Sequence, residues 1–405
     1  MGYEKERQIQ QWEQGWSFSD RDICYLCLSE PTLREFVKDR ADRTNCDFCN
    51  RQHRKNVAVE FNSVMELIGD AIRQYYSIAS DTLSYDREDE RYMGSTYDTC
   101  DVLDDLGWPS DNESVVEEIV DCLGHETWCD RHPYSLDGVE RYDSSWEQFC
   151  ETVKHKVRYF FSNVEEDKYS ETIPVPDMLK TIKELTERAD MIVTLDPAQP
   201  YYRVRHHAKD NPCATWRELG SPPPDRAMAS RMSAAGISVF YAGLDMDTAR
   251  AETTLRSKPG WMFTGAQWTS TRPLRVLDLS RRPELPSVYA TARYDRDDLV
   301  FLRNFVESVS QPVIPDDRVH IDYVPTQIVT EFFRHSRAEG EQKIDGIVYP
   351  SAQCKGRSIV IFASNDDINP RPFEWPRDVP PLLVLSEDSI QRVRKYRRVQ
   401  KRRRR

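Results

Sequence analysis

Two cysteine pairs stand near the start of the chain, Cys24-Tyr-Leu-Cys27 and, eighteen residues further on, Cys46-Asp-Phe-Cys49. Two residues between thiolates let one tight turn aim both sulfurs at a metal about 2.3 Å away. Two such turns complete a tetrahedral shell. Four thiolates leave no open position, so the expected occupant is a structural zinc ion. A disulfide pairing is the alternative, disfavoured in a reducing compartment. The other six cysteines lack such spacing and read as buried thiols.

A second set of polar residues stands where apolar runs end: Arg203, Arg231, Tyr241, Glu252 and Ser351. Each has an ordinary explanation taken singly. A tyrosine closing a strand is commonly half-buried core, a glutamate on a helix commonly faces solvent, and Tyr349-Pro350-Ser351-Ala352 is by itself a turn. Spacing leaves both readings open. Several familiar sites are missing, because the chain holds no G-x-G-x-x-G after a strand, no G-x-x-x-x-G-K-[ST], no G-x-S-x-G and no H-E-x-x-H.

The elements that must position these residues follow from hydrophobic periodicity. Phe61, Val64, Met65, Ile68, Ile72 and Tyr75 recur at helical spacing, as do Trp146, Phe149, Cys150, Val153, Val157 and Phe160. Helices are also expected over 112–123, with Asn112 as N-cap, and over Met178–Ala189. Residues 81–110 are acidic and irregular and read as a loop or insertion. Beyond the prolines at 174–200 the pattern turns to short strands (201–205, 237–242, 274–279, 344–349, 358–363) between helices (246–257, 296–309, 325–336). The closing stretch, 364–391, is Pro-rich and then weakly helical. That order predicts an α+β protein, a helical N-terminal part followed by a mixed α/β domain.

Composition bounds the rest. A length of 405 residues, 39% hydrophobic residues and a mean hydropathy of −0.70 describe a soluble chain of two or three domains. No apolar run reaches the roughly 18 residues a membrane span needs. The polar start carries no secretory signal, so a cytoplasmic location is expected. Net charge is −12, yet 392–405 alone carry ten Lys or Arg, which leaves the remainder near −22. A solvated tail is one reading of that run; docking on nucleic acid or on the acidic part of the chain is the other.

The second polar set acquires meaning through a resemblance. The strand Tyr-Arg-Val-Arg at 202–205, the run "RMSAAGISVFYAG" from Arg231, "DTARAE" ending at Glu252, "DYVPTQIVTEFF" at 322–333, and "IDGIVYPSA" followed by "SIVIF" come in order. Over about 160 residues they resemble a RES domain, the family named for its Arg, Glu and Ser. The motifs place these at Arg203, Glu252 and Ser351, with Arg231 and Tyr241 in register. Ala229 and Ser230 replace the double glycine of the family motif, and a longer insertion lies between Glu252 and Ser351.

The resemblance implies an ADP-ribosyltransferase-like fold and a toxin or anti-phage defence effector that consumes NAD by cleaving its nicotinamide–ribose bond. Glu252 would stand beside the ribose cation. Arg203 and Arg231 would take the diphosphate, Tyr241 would offer a ring face, and Ser351 a positioning hydroxyl. The first 190 residues are similar to the zinc-knuckle and HEPN-like region ahead of some RES domains. They hold no Arg–His pair at the four-to-six spacing that HEPN ribonucleases carry on one helix, so ribonuclease activity is not expected.

The expected division is a zinc-knuckle segment at 1–56, a helical domain at 57–195, a RES catalytic domain at 196–365 and a Pro-rich then basic tail at 366–405. Two alternatives accompany the NAD glycohydrolase or phosphorylase reading: ADP-ribosyl transfer to a macromolecule, and a non-catalytic, zinc-anchored nucleic-acid-binding protein. An antitoxin or regulatory partner and a homodimer complete the expectations.

Overall fold

The computed structural model describes residues 9, 11, 13–49, 51, 53–136, 138–163, 170–254, 260–290, 296–311, 319–337, 340–368 and 380–394. The chain divides into two compact units, one of 1–137 with 285–297, the other of 138–284 with 298–405.

The first unit is built around α1 (Pro31–Arg40), α2 (Phe61–Tyr75) and α3 (Glu113–Leu123). Helix α1 starts with a proline, and its Glu30 cap accepts from Leu33 N at 2.7 Å. Val64, Met65, Ile68 and Ile72 of α2 are buried with Val115 and Ile119 of α3 in one cluster, so the 3–4 spacing read from the sequence is a core-facing stripe. Asn112 caps α3 as expected, accepting from Ser114 N at 3.1 Å. The stretch expected to be an irregular loop contains order of its own. A strand pair, Tyr85–Asp86 with Arg91–Tyr92, precedes a short helix, Thr99–Asp105. That helix is held by a reciprocal box in which Asp98 and Asp101 exchange backbone and side-chain hydrogen bonds. Val288 and Tyr289 belong to this unit's core, and the Tyr289 hydroxyl donates to Gly107 O at 2.8 Å. Part of the insertion between Glu252 and Ser351 therefore completes the first unit.

The second unit carries α4 (Gly138–Glu151), α5 (Met178–Arg188), α6 (Met246–Thr254), α7 (Arg296–Ser310) and α8 (Val324–His335). Its eight strands are β1 (Ile192–Leu195), β2 (Tyr201–His207), β3 (Phe240–Gly243), β4 (Met262–Ser270), β5 (Leu274–Asp278), β6 (Gly346–Pro350), β7 (Arg357–Ile361) and β8 (Leu383–Val393). They form one sheet in the order β8-β4-β2-β3-β7-β6-β5-β1, antiparallel except for the parallel β5–β6 pair. The fold is α+β.

Side chains of the strands alternate between two apolar layers. Tyr201, Phe240, Trp268, Val276, Val348 and Ile359 face one way. Leu277, Ile347 and Val360 face the other, buried with Trp146, Phe149, Met178, Ile182, Phe301, Phe305 and Phe333 of the helices. Helices α4 and α5, read from the sequence as part of a helical domain ending at 195, thus pack with the sheet, and the packing boundary falls at 137/138. Helix α4 gives way to a π-helical turn, Thr152–Lys156, and Val157 and Phe160 beyond it are exposed instead of continuing the apolar stripe.

Strands β1, β4 and β8 were not expected. Strand β4 carries Thr264, Gly265, Gln267, Thr269 and Ser270, too polar to signal itself, yet it lies between two partners. Its pairing with β8 turns 383–393, expected to be weakly helical or tail, into an edge strand, since ladder pairing outweighs local propensity. The expected strand at 237–242 starts later, at Phe240, because Gly236 turns the chain with φ +84. Most of the basic run, 395–405, lies outside the described residues, as do 369–379 and residues 255–257 of the helix expected over 246–257. Among the described residues, no helix is long and apolar enough to cross a membrane.

Candidate functional site

The four N-terminal cysteines come together. Cys24 ends a strand (Asp22–Cys24) paired with Ala58–Glu60, and a 3-10 turn, Tyr25–Cys27, swings Cys27 back towards it. The separations Cys24–Cys27, Cys27–Cys46 and Cys24–Cys49 are 3.7, 3.7 and 3.8 Å between sulfurs. Four sulfurs at about 2.3 Å from one tetrahedral ion stand about 3.8 Å apart, whereas a disulfide needs about 2.05 Å. All four are free thiols, with Cys24, Cys27 and Cys46 buried. The Cys24 amide also donates to Cys46 Sγ at 3.3 Å, a contact that favours a thiolate. The group could hold a metal ion.

In the second unit Arg203 sits in the middle of β2 and is only 6% exposed. Strands β2 and β3 pair at a single register position, Tyr202 with Gly243. Beyond it, Arg203 Nη1 donates to the main-chain oxygen of Tyr241, and the guanidinium lies over the Phe240 ring, 4.8 Å from its centroid. Two residues on, and so on the same face of the strand, Arg205 Nη2 donates to Gly220 O at 2.8 Å. The Nε atoms of both arginines are shut off from solvent without a hydrogen-bond partner among the described residues. Burial, reinforced by the neighbouring Arg205 cation, pushes the Arg203 pKa well down, and burial lowers that of Arg205. Guanidinium does not give up its proton in proteins. The shift reflects the cost of holding a cation away from water, and no described carboxylate pairs with either residue. Arg205 was not singled out in the sequence, although Arg-Val-Arg at strand period was the available signal.

Glu252 and Ser351 meet directly, Ser351 Oγ donating to Glu252 Oε1 at 2.5 Å and accepting from Gln353 N at 3.1 Å. Glu252 rides on α6, which leaves β3 so tightly that a Cβ on Gly243 would lie 2.6 Å from Ala249 N. Ser351 begins the turn joining β6 to β7, closed by Ser351 N to Gly356 O at 2.9 Å. That turn is seated on α6 through Gly356, where a Cβ would fall 1.7 Å from Thr248 Oγ1.

Tyr241 lies on the opposite face of the sheet from Phe240, and its hydroxyl hydrogen-bonds Ser230 Oγ, Met232 N (3.2 Å) and Ser233 Oγ (3.4 Å). Arg231 sits within that same turn and donates to Ser310 O, the last carbonyl of α7, at 3.0 Å. The five candidates thus form linked groups. Arg203 touches the Tyr241 backbone, the Tyr241 hydroxyl meets the turn that holds Arg231, and Glu252 holds Ser351. No described ion pair joins Glu252 to Arg203 or Arg231. Tyr241 aligns with Val360 and Ile347, while Ser351 is four residues further along and two strands across. That places the two backbones on the order of 16 Å apart.

Residues 39–167 match the family model of HEPN/RES N-terminal domain 1, and residues 200–380 match that of the RES domain. No curated protein matches. Among solved structures, the crystal structure of the M. tuberculosis MbcT-MbcA toxin-antitoxin complex is similar at 13% identity over 52% of this chain and 91% of that one, with a TM-score of 0.26. The chain carries a RES domain behind a HEPN/RES N-terminal domain 1.

Proposed function

We propose that the second unit cleaves the nicotinamide–ribose bond of NAD, and that the protein acts as a toxin or defence effector through that loss. The observation that carries the reading is the guanidinium pair on β2. Arg203 and Arg205 stand on one strand face, the first buried and the second partly buried, their Nε atoms shut off from solvent and without carboxylates among the described residues. Such a pair lacks an anion, and phosphate oxygens accept parallel hydrogen bonds from guanidinium.

In the reaction the C1′–N1 bond breaks and its electron pair leaves with nicotinamide, discharging the pyridinium. Positive charge develops on the ribose, where a fixed carboxylate is stabilising. Glu252, oriented by the Ser351 hydroxyl, supplies that carboxylate. Water or phosphate then adds through oxygen to C1′ and releases its proton. The four clustered thiols would hold a structural zinc ion, with no position left for substrate. The family resemblance further implies a restraining partner such as an antitoxin.

The test is incubation of the purified protein with NAD, with and without phosphate. Free ADP-ribose marks hydrolysis, and its 1″-phosphate marks phosphorolysis. Label fixed on a macromolecule would move the assignment to ADP-ribosyl transfer. Untouched NAD under all conditions would remove the reading.

A further inference from the structure

Tyr241 does not hold its own position. Its hydroxyl meets the turn Ser230–Ser233 at three points. The turn is narrow: Ser230 N donates to Ser233 O at 2.9 Å, Ser233 N returns to Ser230 O at 3.4 Å, and the two hydroxyls are 2.9 Å apart. Its carbonyls are gripped from outside by the first turn of α8. Gln327 Nε2 donates to Ser230 O at 2.8 Å and to Ser233 O at 3.1 Å, while Thr326 Oγ1 donates to Arg231 O at 2.7 Å. Helix α8 is anchored by Val324, Pro325, Val329 and Phe333, all buried. Two side chains on a rigid element, Gln327 at two carbonyls and Thr326 at one, thus hold the turn that carries Arg231 and clamps Tyr241.

The geometry points to Gln327 as a positioning residue, whose carboxamide sets the Tyr241 hydroxyl and the Arg231 backbone for the ligand. This rests on the NAD reading of the same site. The chemistry requires an amide. Two N–H donors meet two carbonyl oxygens, each of which has a second lone pair to give. A carboxylate of the same shape has no donor and would face both oxygens with negative charge. Ser230 stands where the family motif carries a glycine, and its hydroxyl is the part of the clamp that a glycine could not supply.

The test uses the full chain with Gln327→Ala and Gln327→Glu, so that one variant remains if the other fails to fold. Hydrogen exchange of the 228–243 peptide reads the clamp without reference to activity, and at least tenfold faster exchange is expected. NAD turnover is expected to fall about tenfold in kcat at an unchanged melting temperature. In a cycle with Tyr241→Phe, the second substitution should cost little once the first is present. Unchanged exchange would overturn the clamp. Loosened exchange with wild-type kcat, or two losses that multiply independently, would overturn its positioning role. If the wild type leaves NAD untouched while exchange still rises, the NAD reading fails, the clamp survives and its positioning role falls with that reading.

Discussion

Arg203 and Arg205 pose a question of energy before one of function. A cation moved out of water without a countercharge costs several kcal/mol, and main-chain carbonyls recover only part of that. Of the two, Arg203 is the more deeply placed, with its guanidinium between β2 and the Tyr241 carbonyl. Such a residue is a burden to the fold that binding an anion would relieve. Arg203→Met should therefore leave the melting temperature unchanged or slightly raised while NAD turnover falls at least a hundredfold. Wild-type turnover in a folded Arg203→Met protein would remove the residue from the mechanism. Glu252→Gln makes the complementary case, because the amide keeps the shape and the Ser351 hydrogen bond but loses the charge. A folded protein with turnover down by two orders of magnitude or more is expected in a kinetic assay, as when a transition-state charge loses its partner. Arg203 and Glu252 were marked as candidates by motif order. Arg205 was not, since a second arginine on a strand reads as surface until its burial is known.

The elements that place the pair Glu252–Ser351 are α6 and the β6–β7 turn, and they meet at two glycines. Gly356 is the sharper case, because a Cβ there would fall 1.7 Å from Thr248 Oγ1. Something must move, and the turn from 351 to 356 is the freer side. Gly356→Ala should lift the turn from α6 and separate Ser351 from Glu252. The expected result is a kcat loss of about tenfold or more with the sheet intact by circular dichroism. Full activity in Gly356→Ala would mean that the hydrogen bond between Ser351 and Glu252 is dispensable. Legibility at this scale followed polarity. Helices α2, α3, α5 and α8 showed their apolar stripes, and the short apolar strands β3, β6 and β7 showed theirs to within three residues. Strands β4 and β8 stayed silent, since a ladder shared with neighbours holds them and their own sequence is mostly polar.

Across the whole chain, the order of domains was readable and the way the chain is partitioned was not. Cysteine spacing announced a four-cysteine cluster that could hold a metal ion, and the change from helical to strand pattern announced a second body. Nothing local showed that 285–297 returns to the first unit, because only the burial of Val288 and Tyr289 among residues distant in sequence reveals it. This gives metal removal a specific outcome. Metal binding and folding are coupled where four thiolates share one ion, so chelation, or Cys24→Ser, should loosen the unit that holds them. Elemental analysis should find one zinc per chain in the wild type and none in Cys24→Ser. Hydrogen exchange should then accelerate in peptides covering 20–60 and also in 285–290, since Tyr289 depends on Gly107 and on that core. Peptides of β2, β3 and β6 should keep their protection. A wild-type protein without metal, or one whose 285–290 segment stays protected while 20–60 opens, would break the link between the cysteine cluster and the segment that completes its unit.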